Sequence, residues 1–250
     1  MKAEVIDLKS ENSVCEELGD FPLQTTGAFG ALLGNYPIVW GGDGDDGGNK
    51  CYKLDESKQF TEFATMTILR KDAGIILHEN GVWMTGGRDE IGTVLTATTE
   101  FILASGISIP GPDLPNPLAS HAMAKVNLST SMIIGGYYYD NSSTLMKLDK
   151  TWYFDHHTGK FSDGPGLLES RWGHTAGVIR DSVVTDEKRV VVVGGFNSGT
   201  GSTLKSVEWL VSGTWEQGNS KFVNDFQNPR LYIRIATYIL TMMSTMKFIS

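Results

Sequence analysis

Four Gly-Gly doublets, each placed directly after a run of apolar residues, constrain the fold of this 250-residue chain more than any other feature. Their first glycines are separated by 45, 49 and 59 residues. An apolar run that ends at turn-forming glycines is typical of a strand buried on both faces, and glycine permits backbone conformations that a Cβ atom would forbid. A period of about 50 residues predicts a repeat architecture. The doublets are Gly41-Gly42, Gly86-Gly87, Gly135-Gly136 and Gly194-Gly195.

Other positions recur in register with the doublets. In the second and fourth units, a glutamate followed by an aromatic residue stands 13 residues after the second glycine, at Glu100 and Glu208. An arginine, Arg70 or Arg171, opens each of these two units, and a short run that ends in glycine closes it, with Trp215 as its aromatic residue in the fourth unit. Each unit therefore predicts four short β-strands, the number in a propeller blade.

This pattern resembles the kelch repeat, whose units form the blades of a β-propeller. The resemblance covers about residues 21–220 and is best in the fourth unit. It implies an all-β, kelch-type propeller of four-stranded blades, with four full repeats and a partial blade at both ends of one domain. It also implies a non-enzymatic role in binding other proteins. The predicted segments are a trailing half-blade at 1–22, full repeats at 23–69, 70–117, 118–170 and 171–222, and the start of a further blade at 223–250.

The two ends leave two arrangements open. Residues 223–250 either complete the half-blade at 1–22 and close a five-bladed ring, or the chain is a truncated piece of a longer propeller. The second arrangement is favoured because no further Gly-Gly doublet follows Arg230. The apolar segment 231–249 is interrupted by Arg234 and Lys247, whereas a membrane-spanning helix needs about 20 apolar residues. A strand is the better prediction for it.

No coherent catalytic or metal-binding set is found. His156 and His157 fall at a predicted turn, where polar residues are common, and His121 and His174 share one repeat column, which favours a structural role between blades. The acidic run that contains Asp43 and Asp45 lacks the glutamate of a calcium loop, because Leu54 stands at that position. We therefore predict no enzyme activity, no cofactor and no metal, and we do not expect a small-molecule ligand.

The binding face follows from the resemblance. In kelch propellers, the loops between strands two and three and between strands four and one gather on one rim. These loops carry acidic, basic and aromatic side chains that differ from unit to unit, and exposed arginine and tyrosine often anchor interfaces. For any single tyrosine, packing between blades is an equal alternative. The predicted rim residues are Asp43, Asp45, Arg88, Asp89, Tyr137, Tyr138, Phe196 and Asn197.

The net charge and the cysteine content limit the classes of partner and the compartments that are expected for the chain. A formal charge of −8 argues against nucleic acid, which is bound through lysine and arginine. The leading interpretation is a module that binds a protein partner, in the cytoplasm. The alternative is a secreted carbohydrate-binding or carbohydrate-active propeller, which two glycosylation acceptor patterns and a Cys15–Cys51 bridge would favour. Free buried thiols are the preferred state of the two cysteines.

Overall fold

The computed structural model describes residues 4–6, 15–18, 20–22, 28–34, 36–40, 48–78, 81–89, 94–180, 188–197 and 202–218. Every regular element in these ranges is a β-strand, so the all-β prediction is confirmed. Because they contain no helix, they also contain none long and apolar enough to cross a membrane. Gly41, Gly42, Asp43 and Asp45, and the predicted blade start at 223–250, lie outside the described residues.

Four sheets of four antiparallel strands succeed one another along the chain, after a leading pair formed by β1 (Glu4–Ile6) and β2 (Cys15–Glu17). Within each sheet the strands are hydrogen bonded in chain order. The predicted grouping into four-stranded antiparallel sheets is confirmed. The first sheet holds β3 (Phe29–Leu33), β4 (Tyr36–Trp40), β5 (Lys50–Leu54) and β6 (Phe60–Thr65). The second holds β7 (Gly74–His78), β8 (Gly81–Thr85), β9 (Thr99–Leu103) and β10 (Ser108–Gly111).

In the third and fourth sheets a small hairpin is inserted between the second and third strands. Both insertions were predicted as rim loops, and the structure corrects this, because each forms a two-stranded sheet. The third sheet holds β11 (Ala122–Lys125), β12 (Thr130–Ile134), β15 (Thr151–Asp155) and β16 (Lys160–Asp163), with the hairpin β13 (Tyr137–Tyr139) and β14 (Leu145–Lys147). The fourth holds β17 (Thr175–Arg180), β18 (Lys188–Val193), β21 (Val207–Val211) and β22 (Thr214–Gln217), with the hairpin β19 (Phe196–Asn197) and β20 (Ser202–Thr203).

The sheets pack face to face through their apolar side chains, which gives a propeller-like arrangement. The first strands of consecutive sheets are neighbours, β3 beside β7, β7 beside β11 and β11 beside β17. Separate clusters of buried residues fill the three spaces between consecutive sheets, with Trp40 in the first, Trp83 in the second and Trp215 in the third. Because each second strand is covered on both faces, it is a nearly continuous apolar run, as in Val190–Val193.

The doublets at Gly86, Gly135 and Gly194 lie against the segments that open the units. In all three described doublets both glycines have positive φ, for example 58° and 94° at Gly135 and Gly136. A Cβ atom at Gly136 would lie 2.8 Å from the carbonyl oxygen of Ala119 and 2.8 Å from the Cβ of His121. The Gly136 amide donates to the carbonyl of Arg171 in the next unit, 2.8 Å away. The doublet therefore joins one sheet to the next through the main chain.

Candidate functional site

Two buried ion pairs occupy the same position in the second and fourth sheets. Arg70 Nε donates to Glu100 Oε1 at 2.9 Å, and Arg171 Nη2 donates to Glu208 Oε1 at 2.5 Å. In both units the arginine also donates to the carbonyl oxygen of the first glycine of the doublet, at 2.8 Å. All four side chains are almost completely buried. The arginine and glutamate positions of the repeat, which were predicted as separate features, thus form one structural unit.

The carboxylates of these pairs are satisfied by several donors. Glu100 Oε2 accepts hydrogen bonds from Ser108 Oγ at 2.6 Å and from the amide of Thr67 at 2.9 Å. Burial alone would raise the pKa of Glu100, but the hydrogen bonds from Ser108 and Thr67 and the Arg70 guanidinium outweigh it, so the pKa lies below its ordinary value. Glu100 is therefore a charged scaffold residue at neutral pH and not a proton donor.

The two histidines of the repeat column lie between sheets. His121 Nε2 is 2.7 Å from Thr85 Oγ1 of the preceding sheet, and a Cβ at Gly135 would lie 2.7 Å from His174 Cε1. Burial lowers the pKa of each histidine to about 3, so both are neutral at pH 7. The hydrogen-bond partner of His121 is thus a side-chain hydroxyl of the neighbouring sheet.

One end of the sheets gathers the non-repeated residues, and we call it the glycine rim. Its described residues are the connections that follow the doublets, at 86–89, 94–98, 135–150, 194–197 and 202–206, and the segments before the first strands, at 66–73, 112–121 and 164–174. Isolated bridges join the two kinds of segment in each unit, Lys71 to Arg88, Ala119 to Tyr137, and Trp172 to Phe196. The predicted rim residues other than Asp43 and Asp45 thus all lie at this end.

A half-exposed ion pair marks the rim at the second sheet. Arg88 Nε donates to Asp72 Oδ2 at 2.5 Å, and about a third of each side chain is exposed. The neighbouring Asp89 is partly buried and uses its own loop, because its Oδ1 accepts from the amide of Val94 at 3.1 Å. Of these two predicted residues, Arg88 is therefore the one whose charged group is partly exposed while it is paired with Asp72.

A row of four aromatic rings crosses the rim of the third and fourth sheets. Tyr139 contacts Tyr137 edge-to-face at 5.7 Å, Tyr137 contacts Trp172 at 5.6 Å, and Trp172 stacks on Phe196 at 4.8 Å. These are the separations of favourable ring pairs. Tyr139 and Phe196 are exposed, whereas Tyr137 is only 5% exposed. Trp172 was not among the predicted rim residues, although it directly follows Arg171 in the sequence.

The structure thus separates the predicted tyrosines. Of the two alternatives left open for Tyr137, exposure and packing between units, the structure has the second: its ring is the buried link of the aromatic row, and burial raises its pKa to about 12. Tyr138 is partly exposed. Asn197 is held by Lys147 Nζ, which joins the two rim hairpins. Among the described residues of the connections after the doublets, the exposed large apolar side chains are Val94, Tyr139, Met146 and Phe196.

Chemical alternatives find little support in the described residues. Within them, no group of three or more His, Cys, Asp or Glu side chains is placed to hold a metal ion. The amide of His157 donates to Asp155 Oδ1 in the turn before β16, while His156 Nε2 is 2.7 Å from Ser131 Oγ. Cys51 is a free, fully buried thiol whose pKa is raised by burial, so it does not form the bridge considered for a secreted protein.

Neither a scan of the chain against protein-family models nor a search among curated proteins found a match.

Proposed function

We propose that the chain is a kelch-type β-propeller that binds a protein partner on its glycine rim. The observation that carries the proposal is the combination of exposed apolar side chains with a partly exposed ion pair on connections that differ from unit to unit. Val94, Met146 and Phe196 are exposed on the connections of three successive sheets, beside the Arg88–Asp72 pair. By contrast, the residues that repeat from unit to unit are buried and make their contacts within the scaffold. A rigid framework with unlike connections is suited to recognise one asymmetric partner.

The binding energy is expected to come from few residues. Interfaces depend on arginine and aromatic anchors surrounded by weaker contacts. Arg88 supplies a guanidinium held in place by Asp72, and Phe196 supplies an exposed ring backed by Trp172. Both anchors are therefore ordered before the partner arrives, which lowers the entropic cost of binding.

The test combines partner capture with rim variants. The intact chain is used to capture proteins from an extract of its own source, and a captured protein is then titrated against the purified chain. Arg88→Ala combined with Phe196→Ala is expected to weaken binding by more than about 2 kcal/mol while the melting temperature is unchanged. The control is Leu128→Ala, at a residue 90% exposed on the turn between β11 and β12, at the opposite end. Normal binding by the rim variant would disprove the proposed face.

We further propose that residues 223–250 begin a blade beside the fourth sheet. Gly87 donates to the carbonyl of Leu118 and Gly136 to that of Arg171, the residues that open the following units. The sequence has Arg230 at the corresponding place after the fourth sheet. At the other end, Lys58 pairs with Glu16, and Phe21 packs on Tyr52 at 5.4 Å, so the β1–β2 pair is joined to the first sheet.

Hydrogen exchange tests the additional blade. The Gly195 amide is expected to be protected from exchange in the full chain and to exchange rapidly when residues 223–250 are deleted. The Gly136 amide is the internal control, because its acceptor, Arg171, is present in both proteins. Equal exchange of Gly195 in the two proteins would contradict the proposal.

A further inference from the structure

A cavity of about 900 Å³ lies where the first strands β3, β7, β11 and β17 converge, and its wall is mainly apolar. The aliphatic side chains of Ile75, Ile76 and Val178 contribute to this wall. Most small-molecule ligands occupy pockets of about 300–1,000 Å³ with mainly apolar walls. The cavity therefore has the size and the lining of a ligand site, although no small-molecule ligand is predicted from the sequence.

The cavity extends along the first strands from the glycine rim to the opposite end of the sheets. In the third sheet every residue from Ser120 to Lys125 lines it, a span of about 17 Å at the rise of an extended strand. In the second sheet the lining likewise runs from Asp72 to Leu77. A cavity of this length suits an extended molecule better than a compact one.

The end of the cavity away from the glycine rim is bordered by exposed apolar side chains. Leu32 and Leu77, on the neighbouring strands β3 and β7, line the cavity there, and they are 44% and 43% exposed. Exposed apolar side chains that lie close together often mark a ligand-binding groove. This end is therefore the expected entrance for an apolar molecule.

The charged groups of the cavity favour an anion at the same end. Three of the described residues that line the cavity are charged, and two of them, Arg88 and Asp72, pair with each other near the glycine rim. The third is Lys125, the last residue of β11, which is partly exposed. None of the ion pairs within the described residues involves Lys125. The charge without a counterion is thus positive, and it attracts a negatively charged ligand group.

We propose that the cavity binds a fatty acid, with its carboxylate at the Lys125 ammonium group and its hydrocarbon chain along the first strands. Dodecanoate in its extended form is about as long as the span of about 17 Å along β11. The apolar wall covers the hydrocarbon chain, and Leu32 and Leu77 border the entrance. The polar contact of this site lies at the end opposite the exposed rim groups that are proposed to bind a protein.

Calorimetric titration of the full chain with dodecanoate, below the concentration at which it forms micelles, tests the proposal. Saturable binding at one site is expected. The affinity is expected to rise about tenfold for each pair of added carbons from octanoate to decanoate to dodecanoate, because each methylene group is removed from water. Dodecanol has the same chain without the charge, and it is expected to bind about fivefold more weakly than dodecanoate.

A variant of the lysine locates the head group. Lys125→Met removes the charge but keeps an apolar side chain, and it is expected to weaken dodecanoate binding about fivefold. Its affinity for dodecanol is expected to be unchanged, which shows that the variant is folded. Lys160→Met is the control, because Lys160 is an exposed residue at the same end of the sheets and does not line the cavity.

Three results would each overturn the proposal. The first is a failure of dodecanoate to saturate the full chain. The second is an equal affinity for octanoate and dodecanoate, which would show that the hydrocarbon chain is not buried. The third is a Lys125→Met variant that keeps the preference for dodecanoate over dodecanol, which would place the carboxylate away from Lys125.

Discussion

At the scale of single residues, Arg171 contacts two carboxylates that differ in burial, and only the buried one, Glu208, is expected to be essential for stability. Glu208 and Glu169 both contact the guanidinium of Arg171, at 2.5 and 3.5 Å, but Glu169 is 44% exposed and Glu208 is buried. Removing one partner of a buried pair leaves an uncompensated charge away from water. An exposed partner is replaced by solvent at little cost.

Glu208→Gln is accordingly expected to lower the free energy of unfolding by about 3–5 kcal/mol. Glu169→Gln, which makes the same change on the same arginine, is expected to cost less than about 1 kcal/mol. Urea denaturation followed by tryptophan fluorescence measures both. Equal losses for the two variants would show that burial does not set the strength of these pairs.

His174 offers a second residue-scale prediction. Thr85 precedes the second doublet and bonds His121, whereas Ile134 precedes the third doublet, next to which the His174 ring lies. Ile134→Thr is expected to give His174 the hydroxyl partner that it lacks and to be more stable than Ile134→Val, which has the same shape, by about 1 kcal/mol. The comparison with valine removes the effect of the lost methyl group. A threonine variant less stable than the valine variant would contradict the expected bond.

At the scale of elements, the doublets and the turn glycines make different demands on the backbone. Gly136 has a φ of 94° and no room for a Cβ, whereas Gly159, in the turn before β16, has a φ of 65° and no atom within 4 Å of a Cβ. Gly159→Ala is expected to cost about 1 kcal/mol from backbone strain alone. Gly136→Ala adds the clash with Ala119 and is expected to cost at least twice as much. Thermal unfolding of both variants measures the difference.

The strand order was predictable because the glycine columns punctuate every unit. The doublet at Gly86 follows the last residue of β8, and Glu100 lies in β9, as the spacing indicated. The pairing of Glu100 with Arg70 was not predicted, because the two columns were read as separate signals 30 residues apart. In the third unit, buried Leu118 and Trp152 stand at the corresponding positions. Because neither is charged, the sequence of that unit does not indicate an ion pair.

The rim was harder to predict than the sheets. The hairpin β13–β14 has only three residues in each strand, and its turn is held by Asp140 Oδ1, which accepts from the amides of Ser142 and Thr144 at 2.8 Å. Such short elements carry no periodicity of their own. The burial of Tyr137 depends on Trp172, which is distant in sequence and lies in the next unit. Contacts between units of this kind are not encoded in a local pattern.

At the scale of the whole molecule, the neutral histidines make stability depend on pH. The folded-state pKa of His121 and His174 is about 3, below the value of about 6.5 for an unfolded histidine. The unfolded chain therefore binds more protons between these values. The stabilisation is fully present above pH 6.5 and is lost as the pH falls towards 3.

Two protons taken up on unfolding give a slope of about 2.7 kcal/mol per pH unit near pH 5. His174→Asn is expected to lower the slope by about 1.4 kcal/mol per pH unit, whatever its effect on the stability itself. His157→Asn, at an exposed residue of a turn, is the control for the substitution. Urea titrations at several pH values between 4.5 and 6 measure it, and an unchanged slope in His174→Asn would contradict the buried neutral state.

The strands on either side of the doublets at Gly86, Gly135 and Gly194 pair in the same register. Thr85 pairs with Thr99, Ile134 with Thr151 and Val193 with Val207, the last residue of one strand with the first of the next. In the last two of these units the intervening segment forms a hairpin, and the register of the sheet strands is kept. Foreign peptides can therefore be grafted at these points without rebuilding the sheets, and the turn between Asp140 and Thr144 is the place to begin engineering such a display scaffold.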